Sequence, residues 1–305
     1  MNERQKALSI LSLGVSLMYG LHWLSSFFLA ALLPIPLELV KLISLVLLYG
    51  VGYALFLAIS AQRRSSRLSP VRQSGRLSGR ELFLCITLQF MALAIFLILN
   101  IVKTSLSGLL GEQLPAEASL SMTPLDIISL FLLAPVMEEL VFRRAFAEAL
   151  LPYGERFYLF SSAFCFAILH AVSFARRGAP LDGLPQLVYT FLLGLIWAYV
   201  IVKTRNLRLS ILLHIFSNVC GMLLPLLAGI AEPLAPIYLL LVAALGLLGV
   251  LMLRNELRDG RVTLDQSARL LHQETFRDLF GSIGVWIQIA LVIITIIYRA
   301  GGAQA

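Results

Sequence analysis

Nine long apolar runs dominate the sequence and decide what kind of fold it can adopt. A helix needs about 20 mostly apolar residues to cross the hydrocarbon core of a bilayer. The runs cover residues 7–33, 37–60, 81–102, 125–150, 157–175, 186–203, 209–229, 234–253 and 283–298. Hydrophobic residues make up 59% of the chain and charged residues only 13%, which excludes a soluble domain of 305 residues. We therefore predict an all-α fold, a polytopic transmembrane helical bundle of about eight to nine spans, with 1–305 as a single membrane domain.

The positions of Lys and Arg between these runs predict the orientation in the membrane. The polar loop 61–80 has six arginines and no acidic residue, so the positive-inside rule places it in the cytoplasm. The N-terminus and the membrane-proximal segment 254–282 then fall on the cytoplasmic side as well, and Arg176 and Arg177 form the one exception. We expect the loop 61–80 to contact anionic lipid headgroups. We expect 254–282 to form a helix near the membrane surface.

The net charge and the cysteines argue against other classes of protein. The charge of +7 comes mostly from residues between the apolar runs, so the sequence predicts contact with membrane lipid and no nucleic-acid partner. The three cysteines, Cys85, Cys165 and Cys220, lie inside apolar runs without CxxC spacing. This odd number argues against a disulfide framework, and the spacing argues against a zinc ribbon. We interpret all three as small buried hydrophobic residues.

One short stretch, residues 135–144, carries four charges at the end of an apolar run. Each charge at membrane depth costs roughly 2.5–3.5 kcal/mol on insertion scales, so a sequence that keeps them there has a use for them. Glu139 and Arg143 are four residues apart, share a helix face and can pair. Glu138 projects about 100° away from that face and is available for a different contact.

Two further spaced pairs lie on later runs. His170 follows Phe166 by four residues, and Asn218 follows His214 by four. An acid, two histidines and an amide, each on a separate helix or helix face, converge if those helices pack together, as in bundles that build sites in their cores. A buried carboxylate such as Glu138 can act as a general base, and a neutral histidine can share the water or deliver a proton. An amide N–H suits an oxyanion, so the set predicts a water-activating hydrolase.

This cluster does not require a metal. Two histidines and a glutamate are common zinc ligands, so Glu138, His170 and His214 would be the ligands if zinc were bound. The histidines lack the spacing of the HExxH motif, however. We expect no cofactor and keep zinc as the alternative.

The remaining polar residues of the spans have simpler interpretations. We interpret His22 as a core or interfacial histidine, and Gln89 and Gln288 as hydrogen-bonding residues between helices. Arg144 and Glu148 are four residues apart and predict a peripheral pair.

The three motifs, in this order, resemble those of the CPBP family. That family comprises the CAAX prenyl endopeptidases and the bacterial bacteriocin-processing and self-immunity proteins, also called Abi proteins. The motifs are Glu138-Glu139-x-x-x-Arg143, Phe166-x-x-x-His170 and His214-x-x-x-Asn218. Between the last two, the stretch around Gly194 and the turn that leads to Ser210 are also similar to the family's connecting helix and turn. The resemblance covers about 125–225, which we take as the catalytic core.

The resemblance implies an intramembrane endopeptidase of the CAAX-protease type. In that case Glu138 and His170 activate the attacking water, and His214 and Asn218 form the oxyanion site. Glu139 and Arg143 are then supporting residues that order the first motif. The implied substrate is a membrane-associated peptide or a membrane-anchored protein. The short, loop-poor chain resembles bacterial members, so we expect it in the bacterial cytoplasmic membrane with a cytoplasmic N-terminus.

Two other functions use the same buried polar cluster. A polytopic transporter could carry protons or cations through it, but transporters of this kind usually contain inverted repeats. The charged stretch 135–144 has no counterpart in the other half of the chain. A non-catalytic immunity protein could bind a peptide without cutting it. The complete set of motifs favours the peptidase.

Overall fold

The computed structural model describes residues 1–32, 34–61, 75–109, 122–174, 183–265 and 273–300, which are almost entirely helical. In chain order they form ten helices: α1 Glu3–Leu32, α2 Leu37–Ser60, α3 Gly79–Leu109, α4 124–150, α5 Glu155–His170, α6 Leu184–Thr204, α7 Leu207–Ile230, α8 Ala235–Arg258, α9 Gln273–Phe280 and α10 Ile283–Ala300. No strand occurs among the described residues, so the predicted all-α fold is confirmed.

The lengths and compositions of these helices identify an integral membrane protein. Six of them, α1, α2, α3, α6, α7 and α8, are long and apolar enough to cross a membrane. The pair α9 and α10 is bent by 66° and makes a seventh if it is counted as one span. The predicted spans 125–150 and 157–175 fall on α4 and α5. α4 contains six charged residues and α5 has only 16 residues, so neither qualifies by length and composition alone.

Two tight connections fix how the helices of the central region enter the bundle. Gly154 joins α4 to α5 with a φ of 126°, which a residue with a side chain rarely adopts. Arg205 ends α6 in the left-handed conformation, and the Asn206 side chain then accepts a hydrogen bond from the Leu209 N–H at the start of α7 (3.1 Å). Asp265, in the loop after α8, accepts hydrogen bonds from the first two backbone N–H groups of α5. The end of α6 also donates to this loop, so all of these connections lie at one end of the bundle.

Glycines let several helix pairs approach closely, as is common in membrane bundles. A Cβ on Gly194 of α6 would lie 3.0 Å from the Cα of Ala163 on α5. A Cβ on Gly249 of α8 would lie 2.8 Å from the backbone of Thr87 on α3. α10 packs on α1 in the same way, and the backbone of α1 occupies the position that a side chain at Gly284 would need. The α5–α6 contact matters most for the site described below, because both helices line it.

The segment 254–282 is not the single helix that the sequence predicted. α8 continues as far as Arg258, a turn follows, and among the described residues of this segment the next helix is α9. Two aromatic residues of α9 pack against aromatic residues of α5, and Asp278 of α9 accepts a hydrogen bond from Asn2 at 2.8 Å. Its apolar residues therefore pack against the bundle, and the hydrogen bond from Asn2 ties α9 to the N-terminus.

Some sequence predictions concern residues outside the described ranges. These are most of the arginine-rich loop 61–80, and Arg176 and Arg177. The cysteines do lie within the described ranges. All three are free, as predicted, with Cys85 and Cys165 buried and Cys220 half-buried.

Candidate active site

α4 changes its backbone geometry on both sides of Glu138. Two π-helical stretches flank this residue: Ser129–Leu133 and Glu139–Ala145. In a π-helix each N–H bonds to the carbonyl five residues back, but Pro135 has no N–H to offer to the Leu130 carbonyl. The side-chain N–H of Asn218 donates to that carbonyl instead, at 2.8 Å. One amide hydrogen of Asn218 is therefore used to hold α7 against α4, which sequence reasoning did not anticipate.

Glu138 lies at the centre of the site. It is only 8% exposed. Its Oε1 is 3.8 Å from Nε2 of His170, and its Oε2 is 3.7 Å from Nε2 of His214. Both separations exceed a direct hydrogen bond, so the imidazoles face the carboxylate without being tied to it. α4, α5 and α7 thus each bring one of these side chains to the same point.

The second ring nitrogen of each histidine is occupied. Nδ1 of His170 lies 3.0 Å from the Phe166 carbonyl, which can only accept, so Nδ1 donates. Nδ1 of His214 lies 3.2 Å from Oε1 of Glu139, whose carboxylate likewise accepts. In a neutral imidazole the other nitrogen then carries a lone pair. Each ring therefore presents Nε2 to Glu138, and the four-residue spacing of Phe166 and His170 is what orients the first of them.

Glu139 points to a different, fully buried polar cluster. Its carboxylate accepts hydrogen bonds from the Ser210 hydroxyl and from Nδ1 of His214. Nε of Arg143 lies 3.6 Å from Oε2 of Glu139, so the predicted pair is present. Arg143 also donates from Nη1 to the Ser162 hydroxyl at 3.1 Å. This cluster connects α4 to α5 and α7, and it holds the Nδ1 side of the His214 ring.

Aromatic rings enclose the polar cluster. Trp197 stacks on His214 with 4.0 Å between ring centroids and an interplanar angle of 20°. Phe166 lies 4.4 Å from His170 and 5.8 Å from Trp197, measured between centroids. The guanidinium of Arg143 is 4.9 Å from the Phe166 centroid and 5.5 Å from the Trp197 centroid, within cation–π range. The rings restrict the orientation of both histidines and shield the buried charges.

Glu138 and His170 line a cavity of about 250 Å³. Much of its wall comes from helices outside the three motifs: α1, α2 and α10 contribute Tyr19, His22, Trp23, Tyr49 and Arg299. Nδ1 of His22 donates to the Ser44 carbonyl at 3.1 Å. The sequence predicted that His22 is a core or interfacial histidine. In the structure its ring is hydrogen-bonded to the backbone of α2, and it also lines the cavity.

Sequence reasoning missed Trp197, Ser210 and Tyr19 as residues of this site. For two of them, a spacing in the sequence could have indicated a place in the site. Trp197 follows Gly194 by three residues on the same predicted helix, and Ser210 precedes His214 by four, the spacing that identified the other pairs. Tyr19 has no such spacing, because α1 lies outside the motifs.

The other polar residues of the helices have the structural contacts that were predicted for them. Gln89 accepts a hydrogen bond from Nε1 of Trp197 at 3.2 Å, and Gln288 donates to the Cys165 carbonyl at 2.7 Å. Arg144 and Glu148 form an ion pair at 3.1 Å on the outside of α4. Within the described ranges, no three His, Cys, Asp or Glu side chains are arranged to hold a metal ion. Whether the protein uses a metal stays a prediction.

Comparison with known proteins identifies the region that carries these residues. Residues 120–220 match the family model described as type II CAAX prenyl endopeptidase, Rce1-like. The match covers about a third of the chain and includes all three motifs. No curated protein and no solved structure gave a significant match. The central region of this chain, residues 120–220, which contains Glu138, His170 and His214, is therefore similar to the Rce1-like CAAX prenyl endopeptidases, as the CPBP motifs in the sequence predicted.

Proposed function

We propose that the protein is an intramembrane endopeptidase of the CAAX-protease type that hydrolyses a peptide bond with a water activated by Glu138. The observation that carries this proposal is the position of Glu138 at a cavity, between the Nε2 atoms of two histidines at 3.7 and 3.8 Å. A carboxylate and an imidazole lone pair on one side of a cavity suit a shared water. The cation pathway of a transporter would instead need a polar route through the bundle.

In the proposed reaction, Glu138 takes a proton from the water, and Nε2 of His170 accepts a hydrogen bond from the other hydrogen. The hydroxide attacks the carbonyl carbon of the substrate, and Glu138 then delivers its proton to the leaving amine. General base catalysis of this kind typically contributes about 10²–10⁴-fold to the rate. The hydrogen bond from His170 to the Phe166 carbonyl selects the tautomer of the neutral ring in which Nε2 has the lone pair, and it aims Nε2 at the water.

The oxyanion of the tetrahedral intermediate would be stabilised by His214 and Asn218. Asn218 has one amide hydrogen left after its bond to Leu130. His214 can donate from Nε2 only as an imidazolium, because Nδ1 already donates to Glu139. The carboxylate of Glu139 offsets part of the cost of that buried cation. The supporting role of Glu139 is therefore electrostatic as well as structural.

The substrate class that fits this site is a membrane-associated peptide or a membrane-anchored protein. We propose that the protein acts in the bacterial cytoplasmic membrane, with its N-terminus in the cytoplasm on the side of the arginine-rich loop. Bacteriocin processing or self-immunity through cleavage is compatible with such a substrate. A reporter fused after residue 1 and another fused in the loop 61–80 would test the orientation, and opposite locations would contradict it.

The main test is proteolysis by the purified protein in lipid nanodiscs. Glu138→Gln and His170→Ala should each abolish cleavage of hydrophobic test peptides while the protein still accumulates in the membrane. Glu148→Gln is the matched control, because it neutralises a carboxylate on the same helix at the outer ion pair. Full activity in either site variant would rule out the proposed mechanism.

Chelation tests the metal alternative. We expect activity to survive treatment with a strong chelator, since a carboxylate and an imidazole suffice to activate the water. Activity that is lost on chelation and restored by zinc would instead assign Glu138, His170 and His214 as zinc ligands.

A further inference from the structure

A cationic side chain from outside the family region reaches the same cavity. Arg299 lies on the last turn of α10 and lines the cavity together with Glu138 and His170. Its Nη1 donates to the Val172 carbonyl at 3.2 Å, two residues beyond His170. This hydrogen bond fixes the guanidinium beside the turn that follows the catalytic histidine of α5.

The position of α10 makes this placement rigid. α10 packs along α1, and Tyr298 meets Phe27 with ring centroids 5.0 Å apart. Gly284, near the start of α10, is in direct contact with the backbone of α1. The helix that carries Arg299 is therefore held at both ends, and the guanidinium is held at the cavity rim.

Arg299 has no carboxylate partner among the residues that the structure describes. Arg143 and Arg144 each face an acid within 3.6 Å or less. The guanidinium of Arg299 has five N–H donors, and the hydrogen bond to Val172 uses one of them. Arg299 is an exposed residue, so its remaining donors are accessible to a ligand that enters the cavity. An anionic group on a ligand would complete this site.

Apart from Glu138, the other side chains of the wall are neutral or apolar. His22 also lines the cavity, and its Nδ1 donates to a backbone carbonyl. The Tyr19 hydroxyl is hydrogen-bonded to Glu138, and Trp23 supplies an apolar wall. Glu138 is thus the one carboxylate, and Arg299 the one guanidinium, among the described residues of the cavity wall. Its volume of about 250 Å³ suits a short stretch of chain better than a folded domain.

We propose that Arg299 forms an anion subsite that binds a carboxylate of the substrate peptide and thereby positions the peptide bond at Glu138. This inference rests on the proposed peptidase function and adds a specificity residue to it. The carboxylate can belong to the end of the peptide or to an acidic side chain. Both present the planar pair of oxygens that a guanidinium binds in a bidentate manner.

Peptide binding to an inactive protein tests the subsite without requiring cleavage. The Glu138→Gln variant in neutral-lipid nanodiscs is titrated with one fluorescent hydrophobic peptide in three forms: free acid, amide, and amide with one added glutamate. We expect at least one carboxylate-bearing form to bind about ten- to a hundredfold more tightly than the plain amide. Adding Arg299→Gln should remove this difference, and Arg299→Lys should restore part of it.

The control is Arg254→Gln, which removes an arginine from the end of another apolar helix, α8, away from the cavity. It should leave the difference between the peptides unchanged. If all three peptides bind equally, or if none binds, the subsite is wrong. If Arg299→Gln weakens the binding of all three peptides equally, and does so only in nanodiscs of anionic lipid, Arg299 binds a lipid headgroup instead. If binding depends on Arg299 but no active protein cleaves any peptide, the proposed function fails while the subsite stands.

Discussion

The buried pair of Glu139 and Arg143 provides a demanding test of how this site is held together. Both side chains are fully buried, with Nε of Arg143 3.6 Å from the carboxylate. Removing one partner of a buried ion pair leaves an uncompensated charge and costs about 3–5 kcal/mol. Arg143→Ala also loses the hydrogen bond to Ser162 and the contacts with two aromatic rings. We therefore expect a loss of stability at or above the upper end of that range.

The next residue supplies a matched control. Arg144 pairs with Glu148 at the same four-residue spacing on the same helix, but its side chain is 63% exposed. Pairs of this kind contribute only about 0.3–0.5 kcal/mol. Arg144→Ala should therefore be nearly neutral. The two variants differ by one position in the sequence, so propensity and helix context are closely matched.

Thermal unfolding in detergent, followed by size-exclusion chromatography, measures the difference. With roughly 2–4 °C per kcal/mol for a chain of this order of size, Arg143→Ala should lower the melting temperature by about 10–20 °C and Arg144→Ala by about 2 °C or less. The double variant Glu139→Gln/Arg143→Met should lose less stability than the two single variants lose together, because it leaves neither charge of this pair without its partner. Equal shifts for Arg143→Ala and Arg144→Ala would refute this account of the cluster.

Two further predictions concern packing and the proposed oxyanion site. Gly194→Leu should prevent accumulation of folded protein because its side chain would meet Ala163 on α5. Gly229→Leu should be tolerated in the same expression assay, because no atom lies within 4 Å of the position that its Cβ would take. Normal accumulation of the first variant would contradict the close helix contact. Asn218→Ala should lower kcat by about 10²–10³-fold, as expected for an oxyanion donor, with a loss of about 1 kcal/mol in stability from the freed Leu130 carbonyl. A full kcat together with a reduced melting temperature would leave Asn218 with a purely structural role.

The sequence predicted the division of labour on α4 because helix geometry alone imposes it. Residues four apart share a face, so Glu139 had to meet Arg143, and Glu138, one position earlier, had to face elsewhere. The structure has this pair, with Glu138 directed toward the two histidines. Short spacing within one helix is local information, and it does not depend on how the helices pack.

Composition predicted the ends and the internal irregularities of the helices less well. Hydropathy shows α4 as one continuous run that includes the charged stretch 135–144. It cannot detect the π-helical turns on either side of Glu138. It also suggested one helix for 254–282, where a turn follows α8. A turn among mixed polar residues has no apolar period to mark it, so its position depends on contacts with the bundle.

By itself, then, the sequence determined an all-α membrane protein, the family resemblance of its central region and the motif residues predicted for the candidate site. Tertiary structure alone decided what surrounds them. Trp197 stacks on His214, and Arg299 and Tyr19 reach the cavity from helices far away in the chain. The physical reason is that nearly every face of these helices is apolar, so the hydrophobic pattern does not say which face meets which neighbour. The close contacts at small residues and the few buried hydrogen bonds make that choice, and they exist only once the helices have packed.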